Sequence, residues 1–201
     1  MQSSLFNAQP LILDLPGAEL AYYPDFIAEH ESCYQQLQET ISWQQDQIQM
    51  YGRRIAIPRL NAWYGDEGMN YSYSGIALTA RPWTPALMKI KQQLQDKLAI
   101  AFNSVLLNYY RDGNDSVSWH ADDEPELGPQ PLIASLSLGA TRRFSLRHKS
   151  DRKLPVQHID LEAGSLLVMA GDTQRNWHHQ IAKTRRSIGG RINLTFRSII
   201  S

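Results

Sequence analysis

Two segments of the chain carry apolar residues at the spacing of a single helix face. The first follows Pro24, and its apolar residues recur at intervals of 7, 3 and 4: Ile27, Tyr34, Leu37 and Ile41. The second follows Thr84 and Pro85, which suit an N-cap and a first helical position, and its apolar residues are Leu87, Ile90, Leu94, Leu98 and Phe102. We therefore predict two amphipathic helices. Residues 1–24, interrupted by prolines, are predicted to be irregular, and residues 42–82 show no sustained period.

From residue 104 onward the pattern changes to short runs typical of β-strands. The predicted strands are residues 105–110, 116–122, 132–138, 142–147, 156–161, 165–169 and 191–199. Gly, Pro and Asn separate these runs at close intervals, which favours a β-sandwich or barrel over a parallel α/β sheet. The pattern thus predicts an antiparallel β core with helices on one side, a mainly β protein of the α+β kind.

Composition narrows the classes of protein that this sequence can represent. The chain has 201 residues, 42% of them hydrophobic, which suits one folded domain and excludes global disorder. Its apolar runs are far shorter than the roughly 20 residues that cross a bilayer, and the N-terminus lacks the pattern of a signal peptide. Cys33 is the single cysteine, which excludes an internal disulfide and is compatible with a cytoplasmic protein. Twenty basic and twenty acidic residues argue against a protein that coats nucleic acid through bulk positive charge.

A candidate metal site lies in the predicted strand 116–122. Side chains alternate along a strand, so His120 and Asp122 are predicted to share one face while Val117 lies on the other. An imidazole and a carboxylate so placed can chelate one divalent metal, although a His-x-Asp pair also arises by chance. A second histidine would complete the 2-His-1-carboxylate triad of non-haem Fe(II) oxygenases. His178 and His179, after strand 165–169, are both candidates, and spacing alone does not choose between them.

The last predicted strand carries a second candidate site. Its polar residues alternate with apolar ones: Arg191, Asn193, Thr195 and Arg197. Each guanidinium offers a planar fork suited to a carboxylate, so two of them suit a dicarboxylate. The alternative is an exposed edge strand with solvated arginines. Together with the metal triad, the dicarboxylate clamp is typical of a 2-oxoglutarate-dependent dioxygenase.

The chain resembles the AlkB family of nucleic-acid dealkylating dioxygenases over about residues 50–200. The matching motifs are residues 108–113, 119–124, 133–139, 144–149, 164–169 and 191–197. The last of them, Arg-x-Asn-Leu-Thr-Phe-Arg, is highly specific. The resemblance implies a double-stranded β-helix (jelly roll) core at about residues 104–201. Residues 1–103 would hold the N-terminal helices and a nucleotide-recognition lid, and residues 1–201 would form a single dioxygenase domain.

The resemblance also implies a cofactor and two cosubstrates, namely Fe(II), 2-oxoglutarate and O₂. The residues that fall on the iron ligands of the family are His120, Asp122 and His179. The family's second histidine follows an aromatic pair and precedes a small or polar residue, which selects His179 over His178. For 2-oxoglutarate, Arg191 is expected to clamp the far carboxylate, assisted by Tyr110 and by Thr195 or Asn193. The residues expected at the end nearer iron are Asn108 and Arg197.

The substrate side of the resemblance rests on less regular segments. Residues expected to contact DNA are Tyr51, Gly52 and Arg53 at a hairpin tip, Tyr71, Ser72 and Tyr73 in the lid, and Asp123 and Glu124 after the metal motif. The tip would wedge into the base stack, Tyr73 would stack on a flipped base, and the acids would favour a cationic lesion. The basic stretch at residues 142–153 would contact phosphates. Each segment also has a simpler reading, as a surface hairpin, a hydrophobic lid, solvated acids or a solvated basic face.

The resemblance implies oxidative demethylation of DNA bases, chiefly 1-methyladenine and 3-methylcytosine, with release of formaldehyde. We expect a monomer that acts on alkylated duplex DNA and also on single strands. Two alternatives stay open. The substrate can instead be RNA, a protein or a small molecule, or the chain can be a metal-binding jelly roll that binds nucleic acid without turnover.

Overall fold

A computed structural model describes residues 9–50, 52–68, 70–73 and 76–200. The helices are α1 (His30–Thr40), α2 (Pro85–Leu98) and the short α3 (Thr173–Asn176), with a 3₁₀ turn at Pro125–Leu127. The strands are β1 (Leu11–Leu15), β2 (Ala18–Tyr23), β3 (Gln47–Met50), β4 (Arg53–Ala56), β5 (Leu60–Gly65), β6 (Asn70–Tyr73), β7 (Ile76–Thr79), β8 (Ser104–Tyr110), β9 (Val117–His120), β10 (Ile133–Gly139), β11 (Arg142–His148), β12 (Gln157–Leu161), β13 (Leu166–Ala170), β14 (Trp177–Ile181) and β15 (Arg191–Arg197). No helix within the described ranges has the length and apolar character needed to cross a membrane.

Two antiparallel sheets form the core of the described structure. The major sheet has the order β1-β2-β13-β10-β15-β8-β5, and the minor sheet has the order β12-β11-β14-β9. The hairpins β3–β4 and β6–β7 are separate two-stranded sheets. The prediction of a mainly β, antiparallel core is confirmed.

The helices cover the outer face of the major sheet, as the sequence pattern predicts. Ile192, Leu194 and Phe196 of β15 are fully buried in one apolar cluster with residues of both long helices, such as Leu37 and Leu94. Burying each such side chain contributes about 1.5–3 kcal/mol. The opposite face of β15 is therefore turned toward the minor sheet.

Helix α2 begins as predicted, whereas α1 begins later than its apolar spacing indicates. The hydroxyl of Thr84 accepts a hydrogen bond from the Leu87 amide at 3.3 Å, and Pro85 occupies the first turn. Ile27 precedes α1, because its amide donates to the carbonyl of Gly164 at 3.0 Å instead of entering a helix. Its side chain still joins the apolar cluster, which explains the helix-like spacing.

The prediction that residues 1–24 are irregular is wrong for the part that the structure describes. The strands β1 and β2 form a hairpin whose turn includes Gly17 at φ +64°, a conformation that favours glycine. Strand β2 then pairs with β13 and so extends the major sheet. The prolines that suggested irregular chain instead flank these strands.

Segments without a clear period also contain strands. Residues 42–82 include β3 to β7, and β5 pairs with β8 in the major sheet. Strand β14 was not predicted either, because its outward positions are His178 and Gln180, which give it little apolar character. The N-terminal part of the chain thus supplies strands to the same sheet as the predicted core.

Strand β9 ends at His120, two residues earlier than predicted, and it contains an irregularity. Against β14, His120 is paired with His179 but Val117 is paired with Ile181. Between these pairs, Ser118 and Trp119 of β9 therefore oppose the single residue Gln180 of β14, as in a β-bulge. As a result Val117 lines the same cavity as His120, and the prediction that it faces the other way is wrong.

Candidate metal centre and cosubstrate pocket

Three side chains converge between the two sheets with the chemistry of a metal site. His120, Asp122 and His179 each offer a ligand atom, and these atoms all lie within 4.8 Å of one another. Asp122 and His179 are buried, whereas His120 is partly accessible from the mouth of the cavity. Two imidazoles and one carboxylate are the ligand set that suits Fe(II) with open coordination positions.

The Asp122 carboxylate is oriented by contacts on one side only. Its Oδ2 accepts a hydrogen bond from Arg197 Nη2 at 2.8 Å, while Oδ1 lies 3.6 Å from His120 Nε2. Oδ1 is buried and has no hydrogen-bond partner among the described residues. Burial opposes ionisation, but the charge of Arg197 and the hydrogen bond that it donates act in the opposite direction, and the pKa of Asp122 lies below its usual range. A buried, ionised oxygen without a donor fits a bound cation.

The contacts of the two histidines leave each of them a ring nitrogen that can bind a metal. His120 Nδ1 donates to the carbonyl of Ser118 at 2.8 Å, which leaves Nε2 as the ring nitrogen on the side of Asp122. The rings of His120 and His179 lie 4.2 Å apart, and Phe144 stacks on His179 at 5.1 Å. Burial lowers the pKa of His179 to about 3, so its imidazole stays neutral at physiological pH.

His178 lies on the other face of β14. It pairs across the ladder with Arg147 of β11, and its side chain is only partly buried. Burial and the nearby cations Lys149 and Arg147 lower the pKa of His178. The alternation of β14 thus places His179, and not His178, beside His120 and Asp122.

The alternating polar residues of β15 line the same cavity as the metal group. They are Arg191, Asn193, Thr195 and Arg197. β15 lies between β10 and β8 and all seven of its residues are buried, which excludes an exposed edge strand. This arrangement supports a cosubstrate pocket inside the β core.

Arg191 has the features of a carboxylate site. It is 1% exposed, its Nη2 donates to Ser137 Oγ at 2.9 Å, and its Nε and Nη1 have no hydrogen-bond partner among the described residues. The ring of Tyr110 lies 5.3 Å from its guanidinium carbon. Burial lowers the pKa of Arg191 to about 10, which leaves it charged at neutral pH. A buried cation with unsatisfied donors fits one carboxylate of 2-oxoglutarate.

Asn193 and Thr195 are occupied by contacts within the sheet. Asn193 Nδ2 donates to Ser135 Oγ at 2.9 Å and to the Leu136 carbonyl at 3.1 Å, which uses both of its amide hydrogens. The Thr195 hydroxyl donates to Asn193 Oδ1 at 3.0 Å. These two residues therefore fix the wall of the pocket, and Tyr110 is the better candidate to assist Arg191.

Asn108 lines the cavity together with Arg59, which lies just before β5. Arg59 is 5% exposed, and its Nε donates to Asn108 Oδ1 at 2.7 Å. Its Nη1 donates to the Ser116 carbonyl at 3.2 Å, just before β9. Arg59 thus links β5, β8 and the start of the metal-bearing strand.

The structure gives fewer contacts for the residues expected to bind DNA than for those of the metal and cosubstrate sites. Tyr51 lies outside the described residues, as do the side chains of Tyr71, Ser72 and Tyr73 in β6. Gly52 joins the β3–β4 hairpin at φ +75°, and the neighbouring Arg53 is exposed. Glu124 is half-buried, whereas Asp123 is exposed and forms an ion pair with Lys149 at 2.7 Å.

The basic residues in the stretch 142–153 have different contacts and do not form a single basic surface. Arg142 is 3% exposed and donates to the carbonyls of Asp112, Asp115 and Ala182, so the predicted phosphate contact is wrong for this residue. Arg143 is paired with Asp160 at 2.9 Å, and Arg147 lies over the ring of Trp119 at 4.4 Å.

Three buried polar residues near the cavity were assigned no role from the sequence. Ser135 and Ser137 alternate with buried apolar residues of β10, and that alternation was the available signal. Gln174 is 1% exposed in α3 and accepts a hydrogen bond from the Asp122 amide at 2.9 Å. It precedes a strand that was not predicted, so no pattern pointed to it.

Comparison with known proteins agrees with this geometry. Residues 19–197 match the 2OG-Fe(II) oxygenase superfamily, so the chain belongs to that superfamily. Membership implies Fe(II) as the metal, with 2-oxoglutarate and O₂ as cosubstrates, as predicted. Within it, the chain belongs to the AlkB family, as its relatives show.

The chain is similar to two mouse proteins. It is 39% identical over 192 residues to alpha-ketoglutarate-dependent dioxygenase alkB homolog 3, covering 90% of this chain and 66% of that protein. It is 38% identical over 182 residues to DNA oxidative demethylase ALKBH2, covering 86% of this chain and 76% of that protein. The chain thus spans just under two thirds of the length of the first relative.

The fold also matches a solved structure, that of OsALKBH1. The TM-score is 0.65 at 17% sequence identity, and the match covers 94% of this chain and 99% of that chain. The prediction of a double-stranded β-helix of the 2-oxoglutarate oxygenase type is confirmed.

Proposed function

We propose that the chain removes methyl groups from alkylated DNA bases by Fe(II)- and 2-oxoglutarate-dependent hydroxylation. The observation that carries this proposal is that a candidate metal site and a candidate carboxylate site line the same cavity. The His-Asp-His group and the buried guanidinium of Arg191 both line it. A module that only binds nucleic acid has no need of an unsatisfied cation there, which argues against the non-catalytic alternative.

In this proposal His120, Asp122 and His179 hold the iron. Arg191, assisted by Tyr110, binds the far carboxylate of 2-oxoglutarate. Asn193 and Thr195 hold the wall of the cosubstrate pocket in place. Arg197 and Asn108 bind the end of 2-oxoglutarate nearer the metal. Arg197 lies beside the metal site, because it donates a hydrogen bond to Asp122. His120 keeps its proton on Nδ1, so that Nε2 is available to the metal.

Bound Fe(II), with 2-oxoglutarate and O₂, would supply the oxidation of the N-methyl carbon. One oxygen atom of O₂ ends in succinate, formed with loss of CO₂, and the other converts the methyl group to hydroxymethyl. The N–C bond then breaks, its electron pair stays on the ring nitrogen, and formaldehyde and a proton leave. The protein's part is to orient the cosubstrate and to present the base at the cavity mouth beside His120.

DNA as the substrate is supported by the relative ALKBH2, whose name is DNA oxidative demethylase. A base alkylated at a ring nitrogen is cationic, so the nearby carboxylates of Asp123 and Glu124 would favour it over a normal base. A flipped base would stack on Tyr73. A monomeric state and a cytoplasmic location remain predictions from the sequence.

The test is 2-oxoglutarate turnover with a panel of oligonucleotides that carry 1-methyladenine or 3-methylcytosine. Duplex DNA, single-stranded DNA and RNA of one sequence are compared in competition. We expect formaldehyde and succinate in equal amounts, with DNA preferred. A preference for RNA would reassign the substrate, and no succinate with any substrate would favour the binding module.

The β3–β4 hairpin is proposed to wedge into duplex DNA. If it does, Tyr51→Ala should lower repair of duplex DNA more than repair of single strands, because only the duplex has a stack to open. An equal loss on both substrates would refute the wedge.

A further inference from the structure

The backbone of Asp122 lies beyond the strand that carries His120. Strand β9 ends at His120, so ladder hydrogen bonds do not hold the Asp122 amide. That amide is buried, so leaving its N–H without a partner would be unfavourable. The side chain of Gln174 supplies its partner, with Oε1 accepting at 2.9 Å.

Gln174 is itself held in one orientation. It is 1% exposed in α3, and its Nε2 donates to Met169 Sδ of β13 at 3.4 Å. Turning the amide over would place its NH₂ group against the Asp122 N–H, donor against donor. Five residues after Gln174, β14 carries His179. Gln174 thus ties the end of β9 to the segment that leads into the other buried member of the metal group.

We propose that Gln174 is a positioning residue for the iron ligand Asp122. The inference rests on the proposed role of Asp122 and goes beyond it. Arg197 orients the carboxylate through Oδ2, whereas Gln174 fixes the backbone from which that carboxylate projects. With both contacts present, Oδ1 lies 3.6 Å from His120 Nε2.

The consequence is a measurable effect on metal binding. Loss of an outer residue that orients a metal ligand typically costs about 10–100-fold in metal affinity. We therefore expect Gln174→Met, which fills a similar volume but has no amide oxygen, to weaken Mn(II) binding by about that factor. Gln174→Ala should do the same and also lower thermal stability.

The test is a titration of the full chain with Mn(II), without DNA or turnover. Hydrogen exchange at the Asp122 amide is measured alongside and should be faster in Gln174→Met. Gln130→Ala is the matched control, because exposed Gln130 donates to Asp172 at 3.2 Å, just before α3. The control should keep wild-type Mn(II) affinity and slow exchange.

Wild-type Mn(II) affinity in Gln174→Met would overturn the inference, as would unchanged exchange at Asp122. A loss of affinity in Gln174→Ala alone would assign the residue to packing and overturn it as well. Asp122→Ala separates this failure from that of the proposed site. If Asp122→Ala still binds Mn(II) as tightly as wild type, the proposed metal site itself is wrong.

Discussion

Arg197 donates a hydrogen bond from Nη2 to Oδ2 of Asp122 across 2.8 Å, and each side chain is only 3% exposed. The pair joins the last residue of β15 to the loop after β9. It compensates one buried charge with another and leaves Oδ1 turned toward His120. The proposed cosubstrate strand and the proposed metal site are therefore one electrostatic unit.

Removing Arg197 should destabilise the metal-free protein. Arg197→Ala leaves the Asp122 carboxylate buried without its cation, a change that typically costs about 3–5 kcal/mol. Arg197→Lys keeps the charge but loses the planar fork, and should cost less. Urea unfolding with a chelator present measures both. A loss below about 1 kcal/mol in Arg197→Ala would show that this ion pair does not hold the core.

The same pair predicts a pH dependence of stability. The pKa of Asp122 is far below its unfolded value of about 3.9, so its ionised form stabilises the folded state. That contribution is complete above about pH 5 and is lost as the pH falls below about 4. The difference in unfolding free energy between wild type and Asp122→Asn should shrink over this range in metal-free protein. A constant difference between pH 7 and pH 3 would contradict the depressed pKa.

Substitution of Arg191 should weaken the binding of 2-oxoglutarate and leave the affinity for the metal unchanged. Its Nε and Nη1 are the donors proposed for the far carboxylate, and a charged hydrogen bond contributes about 1.5–3 kcal/mol. Arg191→Lys should raise the KM for 2-oxoglutarate about 10-fold or more, and Arg191→Met should raise it further. Mn(II) affinity without cosubstrate is the control and should stay unchanged. An unchanged KM in both variants would remove Arg191 from the pocket.

Lys149 should reduce the attraction of Asp123 for a cationic base. The two side chains form an ion pair at 2.7 Å, but both are partly exposed, so the coupling is expected to be about 0.2–1 kcal/mol. Lys149→Met should therefore lower the KM for 3-methylcytosine DNA by about 1.5–5-fold. In an Asp123→Asn background the same change should have no such effect. An equal lowering in both backgrounds would show that Lys149 does not act through Asp123, and a raised KM would indicate a phosphate contact instead.

The sequence identified the parts of the site that follow strand alternation. In β15, apolar residues on one face and polar residues on the other predicted both the helix-covered side and the pocket side, because the strand is long and regular. His120 and Asp122 were predicted together for the same reason. Val117 was placed on the wrong face, since a bulge in β9 has no signature in a strand of four residues.

Other parts depend on contacts that no local pattern encodes. Strand β14 was not predicted, because His178 and Gln180 are polar. Its position in the minor sheet depends on pairing with β11 and β9. Gln174 lies in a short helix, and its partner Asp122 is 52 residues away. Arg142 looked like a surface cation but is buried against three distant carbonyls. Each of these features follows from tertiary packing.

The most direct test of the metal site compares two adjacent histidines. His179 faces His120 and Asp122 inside the cavity, whereas His178 lies on the opposite face of β14. The measurement is formaldehyde release from DNA that carries 1-methyladenine or 3-methylcytosine, with Fe(II) and 2-oxoglutarate present. We predict that His179→Ala abolishes release while His178→Ala retains it. Release that persists in His179→Ala and disappears in His178→Ala would contradict the proposed site.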